Sequence, residues 1–320
     1  MNTNLNVVAL AGGVGGARLS AGLAQVLPPQ ALIVIVNIGD DFEHLGLSIS
    51  PDIDTVTYTL AGLESPETGW GRRDETWNAL GVLEKLGGEP WFRLGDRDLG
   101  LHLERTRRLK SGETLTQVTQ HFANQLGVGC TILPASDHAV PTLVHTDEGV
   151  LPFQEYFVRR GCRPHVTGFE FQNVKHALAA PGALAAIQQA DLVIICPSNP
   201  WVSIDPILAI PGYRQALSGR PVLAVSPIIG GQAVKGPAAK MYAELGIEPS
   251  ALAVARHYVG LLWGFVLDQV DASQVAEVSE LGMYCAATDT LMRTSAGRRR
   301  VAQEVLSLAT RWLETSEILQ

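Results

Sequence analysis

VVALAGGVGGARLSAGL, residues 7–23, runs from five apolar residues into four glycines within five positions, and then into a helical pattern. An apolar run closed by glycines and followed at once by helical spacing reads as a buried strand, a tight turn and a helix. Such a unit opens a parallel α/β sheet. Ligands of these sheets gather at the carboxyl ends of the strands, where helix N-termini present unpaired N–H groups. Gly12, Gly13, Gly15 and Gly16 stand at that place. Lacking Cβ atoms, they permit positive φ and the close approach of a phosphate to the backbone, or they serve only the turn.

The loop matches neither common nucleotide fingerprint. Gly13-Val14-Gly15 begins a dinucleotide motif, but its third glycine would fall at Arg18, and no Gly-Lys-Ser/Thr follows for a Walker loop. The second apolar run, LIVIVN, ends at Asn37, where a dehydrogenase would carry an acid for the ribose.

Further runs of the same kind are ALIVIVNIGDD, DLVIICPSNP and RPVLAVSPIIGG. Each is rich in Val and Ile, without polar alternation, and closed by Gly, Pro, Ser, Asn or Asp. They predict a doubly wound, mainly parallel α/β sheet. LVHTDEGVLPFQEYFV reads as two strands around a turn at Asp147–Gly149, with Phe153, Tyr156 and Phe157 adding β-propensity. A small lobe inserted at about residues 130–175 follows. No linker, repeat or low-complexity tract divides residues 1–320, which read as one domain. SAGRRRVAQEVLSLATRWLE predicts a closing amphipathic helix, with Arg298, Arg299 and Arg300 at its solvated start.

The 320 residues are 46% hydrophobic and 18% charged, with a net charge of −8, so a large core is available and disorder is not. That charge gives no reason to approach nucleic acid or an anionic membrane, and a small-molecule partner is favoured. Cys130, Cys162, Cys196 and Cys285 lack metal or disulfide spacing and read as reduced, buried thiols. The N-terminus has no basic segment of a secretory signal, and no stretch reaches the ~18 apolar residues of a membrane span. The expected location is the cytoplasm.

Acids are dense in NIGDDFEHLGLSISPDIDT, which carries Asp40, Asp41, Glu43, Asp52 and Asp54. Ser50-Pro51-Asp52 reads as an N-cap, a first-turn proline and a first-turn acid. The helix dipole leaves Asp40 and Asp41 unexplained. Carboxylates ~5 Å apart repel by about 3 kcal/mol at an effective dielectric of about 20, and need a cation or protons between them. With a phosphate nearby, such a set suits Mg²⁺. Two more strand ends supply Ser198 and Asn199 (PSNP), and Ser226, Gly230, Gly231 and Lys235 (SPIIGGQAVKGPAAK). Turn chemistry accounts for the glycines and prolines alone, and a nucleotide base with its phosphates accounts for the whole set.

The segments GGVGGARL, NIGDDFEHLGLSISPDIDT, GWGRRDETW, WFRLGDRDLGLHLERT, FQEYFVRR, PSNPWVSIDPILAIPGYR, VSPIIGGQAVKGPAAK and TDTLM run in order from residue 12 to residue 292. Together they resemble the 2-phospho-L-lactate transferases of coenzyme F420 biosynthesis. The resemblance implies a Rossmann-like enzyme of the phosphotransferase class, commonly a homodimer. Such an enzyme transfers a phosphorylated small acid from its guanosine diphosphate derivative to the deazaflavin alcohol Fo, with Mg²⁺, and releases GMP. It places Fo at Asp54 and Arg93, the metal at Asp40 and Asp52, and guanosine diphosphate at the glycine loop, Ser198-Asn199 and Ser226–Lys235. In this scheme the ribityl hydroxyl attacks the phosphorus that bears the acid, and Asp54 orients that hydroxyl or takes its proton. Lys235 adds a cation, and Arg93 meets the deazaflavin or pairs with Asp96 or Asp98.

Two departures from the family pattern are Trp263, usually acidic, and Gly100-Leu101, usually a small residue followed by a more polar one. The histidines, among them His44, His102, His138, His145 and His257, receive no chemical role, with at most an acid contact for His145. The competing class is a non-catalytic regulator that binds a nucleotide sugar on a similar fold. Phospholactate, phosphoenolpyruvate and phosphoglycerate differ by a few atoms, and no residue type in the sequence chooses among them.

Overall fold

In the computed structural model, which describes residues 5–318, seven strands form one sheet with every neighbouring pair parallel. They are β1 (Val7–Ala11), β2 (Leu32–Val36), β3 (Thr131–Pro134), β4 (Leu192–Ile195), β5 (Val222–Val225), β6 (Gly264–Asp268) and β7 (Tyr284–Thr288). Their order across the sheet is β7-β6-β5-β4-β1-β2-β3. The chain winds outward from β1 through β2 to β3, then returns to β4 on the other side of β1. That reversal opens a crevice between the carboxyl ends of β1 and β4, the usual ligand site of doubly wound sheets.

Every residue of β1, β4, β5 and β6 is buried, as expected of strands covered on both faces. The α/β doubly wound expectation holds, and four of the seven strands are the apolar runs read from the sequence. The partly exposed edge strand β7, YCAAT, carries no comparable run. Helix α1 (Gly13–Ala24) follows the glycines directly and packs between α2 (Pro51–Leu60) and the closing helix α4 (Ser295–Ile318). The stretch between α2 and β3 is a helical excursion that includes α3 (Asp96–Lys110). Among the described residues no helix is long and apolar enough to cross a membrane.

The inserted lobe is a three-stranded antiparallel sheet made by Thr142–Thr146, Gly149–Pro152 and Val166–Phe171. It begins later than expected, because Thr131–Pro134 belongs to the large sheet as β3. The hairpin at Asp147–Gly149 is present, but the chain turns helical after Pro152. Phe153 and Phe157 are therefore one helical turn apart, stacked with ring centroids at 5.4 Å, and do not alternate on a strand. Val144, Phe153, Tyr156 and Val166 form a core that rests on Val202 and Met241 of the main body. Arg298 is not solvated: it pairs with Glu64 at 2.9 Å, each side chain 12% exposed. Arg300 does fit the expectation of a wet helix start, with partly exposed partners Asp289 and Glu304.

The glycine loop shows why β1 and α1 join so tightly. Gly13 has φ +60, the left-handed region, and a Cβ there would meet nothing closer than an Asp52 oxygen at 4.0 Å. Gly15 is held by contact instead, since its Cβ would lie 2.0 Å from the Pro197 carbonyl oxygen in the loop after β4. At Gly15 the missing side chain lets two loops touch. Gly15→Ala is expected to lose about 3 kcal/mol or more through overpacking against backbone. Gly13→Ala loses only about 1–2 kcal/mol of left-handed strain. Chemical denaturation of the two variants checks this order.

Candidate active site

The carboxyl ends of β1, β2, β4 and β5 and the loops beyond them enclose a cleft of about 410 Å³. Its floor lies at the crevice between β1 and β4. Asn37, fully buried at the end of β2, sends its Nδ2 to Asp40 Oδ1 at 2.9 Å, Asp52 Oδ2 at 2.9 Å and the Val202 carbonyl at 3.0 Å. Its Oδ1 accepts the Gly39 N–H at 2.8 Å, which fixes the amide's orientation. An amide nitrogen with two hydrogens thus faces three acceptors and cannot satisfy them all. The other oxygen of Asp52, Oδ1, accepts the Gly13 N–H at 2.8 Å, tying the first turn of α2 to the glycine loop.

Asp40 and Asp52 are 8% and 5% exposed. Burial, and then the charges of Asp52 and Asp41, raise Asp40 well above the usual carboxylate range. Burial pushes Asp52 up to about 6, against the hydrogen bonds from Asn37 and Gly13. Asp41 is raised as well, chiefly by burial, although Ser50 donates its hydroxyl to it at 2.8 Å. Ser50 holds the N-cap position of α2 with Pro51 and Asp52 in the first turn, as expected, but its hydroxyl is spent on Asp41 and makes no side-chain cap. Among the described residues no group of three or more His, Cys, Asp or Glu side chains is placed to hold a metal. The donor set is two carboxylates, which fits Mg²⁺, an ion that takes one or two protein carboxylates, and does not fit an all-protein cage.

A second polar cluster forms one side of the cleft. Arg105, 1% exposed, grips both oxygens of Asp54 in a fork, with Nη1 at 3.0 Å from Oδ2. His102 lies beside it, Nδ1 at 3.1 Å from Arg105 Nη1 and Nε2 at 3.3 Å from Asp98 Oδ2. Asp98 Oδ1 accepts the Tyr58 hydroxyl at 2.6 Å. Trp70, Trp91, Phe92 and Phe157 supply apolar wall around these groups.

Gly12, Gly13, Gly15, Asp40, Asp52, Asp54, Arg93, Ser198, Asn199, Ser226 and Lys235 all line this one cleft. Gly16 lies beneath it, packed against Ser198 and Ala11. Gly230 and Gly231 lie outside it, both at positive φ in the two-residue turn of a hairpin between Ile228–Ile229 and Gln232–Ala233. Ser198 is engaged with the Gly12 backbone, donating to its carbonyl at 2.9 Å and accepting its N–H at 3.2 Å. Asn199 Oδ1 accepts the Trp201 N–H, and the Ser226 hydroxyl serves Ile228. These three side chains build the loops that face the cleft. Arg93 lies over the Trp77 ring at 4.3 Å, while Asp96 accepts from Thr76, Asn78 and Ala79 and Asp98 from Tyr58, so neither acid takes Arg93 as an ion pair.

The sequence reading left Asn37 without its role as a bridge, gave His102 no chemical role and did not single out Arg105. The signal was present: Asp98, His102 and Arg105 are spaced i, i+4, i+7 and share one face of α3. His145 faces Glu170 outside the cleft, and His257 pairs with Asp205. Trp263 packs against Tyr284 and Trp312, and Gly100 is exposed on α3, so neither departure from the family pattern touches the site. A second cavity, of about 470 Å³, lies at the far end of α1 beside Gln25, Leu60 and Cys130 and holds none of the expected site residues.

A doubly wound sheet with a glycine loop, buried paired acids and an aromatic cleft at its switch point defines a Rossmann-like protein built to hold a small-molecule ligand there. The chain belongs to the family described as 2-phospho-L-lactate transferase CofD, whose model matches residues 7–305. It is 43% identical over 313 residues to the phosphoenolpyruvate transferase of Streptomyces griseus, covering 95% of this chain and 98% of that one. It is 37% identical over 302 residues to the 2-phospho-L-lactate transferase of Methanosarcina acetivorans, covering 94% and 98%. A UPF0052-family protein from Bacillus halodurans shares the fold, with a TM-score of 0.63 at 17% identity over 95% of this chain and the whole of that one.

Raised acids store proton affinity in the folded state. Stability from Asp52 is present in full below the unfolded carboxylate value and is lost as pH climbs through about 6. In chelator the melting temperature is expected to fall between about pH 4 and pH 7. Mg²⁺ restores part of the loss above pH 6. Asp40→Asn, which removes one charge of the pair, flattens both effects in a thermal melt series.

Proposed function

We propose that this protein joins a phosphorylated small acid to the ribityl hydroxyl of Fo, taking the acid from its guanosine diphosphate derivative and releasing GMP. The observation that carries the reading is the shape of the single cleft. Buried Asp40 and Asp52 sit against the glycine loop at one part of it, and Asp54, Arg93 and an aromatic wall stand at another. Family membership and the names of the two transferase relatives support the reaction class.

Asp40 and Asp52 would hold Mg²⁺, which when bound supplies positive charge to the oxygens of the diphosphate. The first two donors of the glycine loop are already committed, Gly12 to Ser198 and Gly13 to Asp52. Val14 and Gly15, in the first turn of α1 where N–H groups lack helical partners, remain to face the phosphates. Asp54 is held rigidly by Arg105, so its carboxylate orients the attacking hydroxyl. Displacement at this phosphorus asks above all for alignment of the hydroxyl with the departing GMP. The O–P bond from the ribityl oxygen forms as the P–O bond to GMP breaks, and the hydroxyl's proton leaves by way of the Asp54 carboxylate. The apolar wall excludes water, which would otherwise compete as the nucleophile.

The purified protein, incubated with Fo, Mg²⁺ and each guanylylated acid and analysed by mass spectrometry, is expected to give one dominant acid-bearing product and GMP. GMP released without an Fo adduct would contradict the reading. Asp54→Asn is expected to raise the KM for Fo about tenfold, a loss of ~1.4 kcal/mol, with the donor KM within twofold. Asp54→Ala leaves Arg105 buried without its partner and is expected to cost about 3–5 kcal/mol of stability as well.

A further inference from the structure

The loop at residues 63–73 leaves α2 and folds back on itself. Gly69 N–H bonds the Ser65 carbonyl at 2.8 Å, Ser65 N–H the Gly71 carbonyl at 3.0 Å, and Arg73 N–H the Leu63 carbonyl at 2.9 Å. It contributes no side chain to the buried core, and its Trp70 is 54% exposed. Its tip nevertheless reaches the glycine loop. A Cβ on Gly69, whose φ is +78, would lie 2.9 Å from Val14 Cγ1, 3.2 Å from Arg18 Nη2 and 3.6 Å from Lys235 Nζ. Two cations on different elements therefore converge on one backbone segment at the edge of the cleft.

Neither cation has a carboxylate in ion-pair contact among the described residues. Lys235 donates its ammonium to the Thr68 carbonyl, and the buried Nε of Arg18 has no hydrogen-bond partner. The charged groups facing Arg18 are Arg298, Glu64 and Lys235. Burial and then Arg298 lower the Arg18 pKa against the pull of Glu64, while burial and then Arg18 lower that of Lys235. Crowded, underpaired cations beside the first turn of α1 call for an anion with several oxygens, and a peptide carbonyl supplies only a fraction of that charge.

We propose that Arg18 and Lys235 form a clamp for the donor's diphosphate, and that the Thr68 carbonyl occupies this clamp in the closed form of the 63–73 loop. Donor binding then requires the loop to release Lys235, so the affinity measured is the intrinsic affinity reduced by the fraction of molecules with the loop open. This inference rests on the reading above that the donor is a nucleoside diphosphate derivative. It adds Arg18 to the binding residues and gives the loop a gating role.

The test is calorimetric titration of the full-length protein with GDP and with inorganic pyrophosphate, with thermal melts to verify folding. Arg18→Gln and Lys235→Gln are expected to weaken both ligands at least tenfold. Gly69→Ala, whose added methyl strains the closed loop against Val14, is expected to tighten GDP about threefold or more. Tryptophan emission shifts on GDP binding in the wild type and Trp70→Phe removes that shift, whereas a shift kept in full by Trp70→Phe would contradict movement of the loop. Folded Arg18→Gln protein that binds GDP as the wild type does would overturn the clamp and leave the donor reading standing. Weaker GDP binding by Gly69→Ala would overturn the gate. Arg18-dependent binding of pyrophosphate by a wild type that ignores GDP would support the clamp and contradict the donor reading.

Discussion

The amide of Asn37 holds the site together. It stands at the end of β2, where its backbone N–H bonds the Ala11 carbonyl at 2.9 Å, and the β1–β2 register pairs Ala11 with Val36. That register brings the last residue before the glycine loop beside the residue that bridges two acids. From there one nitrogen reaches both Asp40, in the loop after β2, and Asp52, in the first turn of α2, and Asp52 accepts on from Gly13. The strand register, the loop after β2 and the first turn of α2 are thereby locked into one arrangement. A buried polar network of this kind specifies position at a cost in stability, since one amide cannot neutralise two carboxylates. The pair is relieved by a proton or by a cation, and burial raises both acids, with the charge of Asp52 adding to it at Asp40.

The cleft divides its labour between two acidic groups with opposite electrostatics. Asp40 and Asp52 are held by neutral donors and keep their mutual repulsion. Asp54 is held by the guanidinium of Arg105, so its charge is already matched. A matched carboxylate is a stable hydrogen-bond acceptor for a hydroxyl, and an unmatched pair is a site for a divalent ion. The unmatched pair stands against the glycine loop, and both acidic groups line the one cleft together with Trp91, Phe92 and Arg93.

Much of this is legible in the sequence. The four Val- and Ile-rich runs are buried strands because a parallel sheet covered on both faces leaves no room for polar alternation. The positions after them line the cleft because doubly wound sheets put loops at their carboxyl ends. What stayed hidden depended on contacts across the chain. Gly15 has no room for a side chain because the Pro197 carbonyl fills the space of its Cβ, and a residue 182 positions away leaves no local trace. Ser50 has the sequence of a cap but serves Asp41. Asn37 was read only for the acid it is not, since its role requires knowing that Asp40 and Asp52 converge. Phe153 and Phe157 carry β-propensity and still lie on a helical turn, because packing over the lobe core and the cleft outweighs a preference of a fraction of a kcal/mol.

The central claim is that Asp40 and Asp52 share one divalent ion with a nucleotide's diphosphate. Anomalous diffraction from crystals grown with Mn²⁺ and GDP tests it most directly. The account predicts one strong peak within about 2.2 Å of an oxygen from each carboxylate and also in contact with phosphate oxygens. A peak bound elsewhere, or ordered GDP in the cleft with no metal between those two side chains, would contradict it.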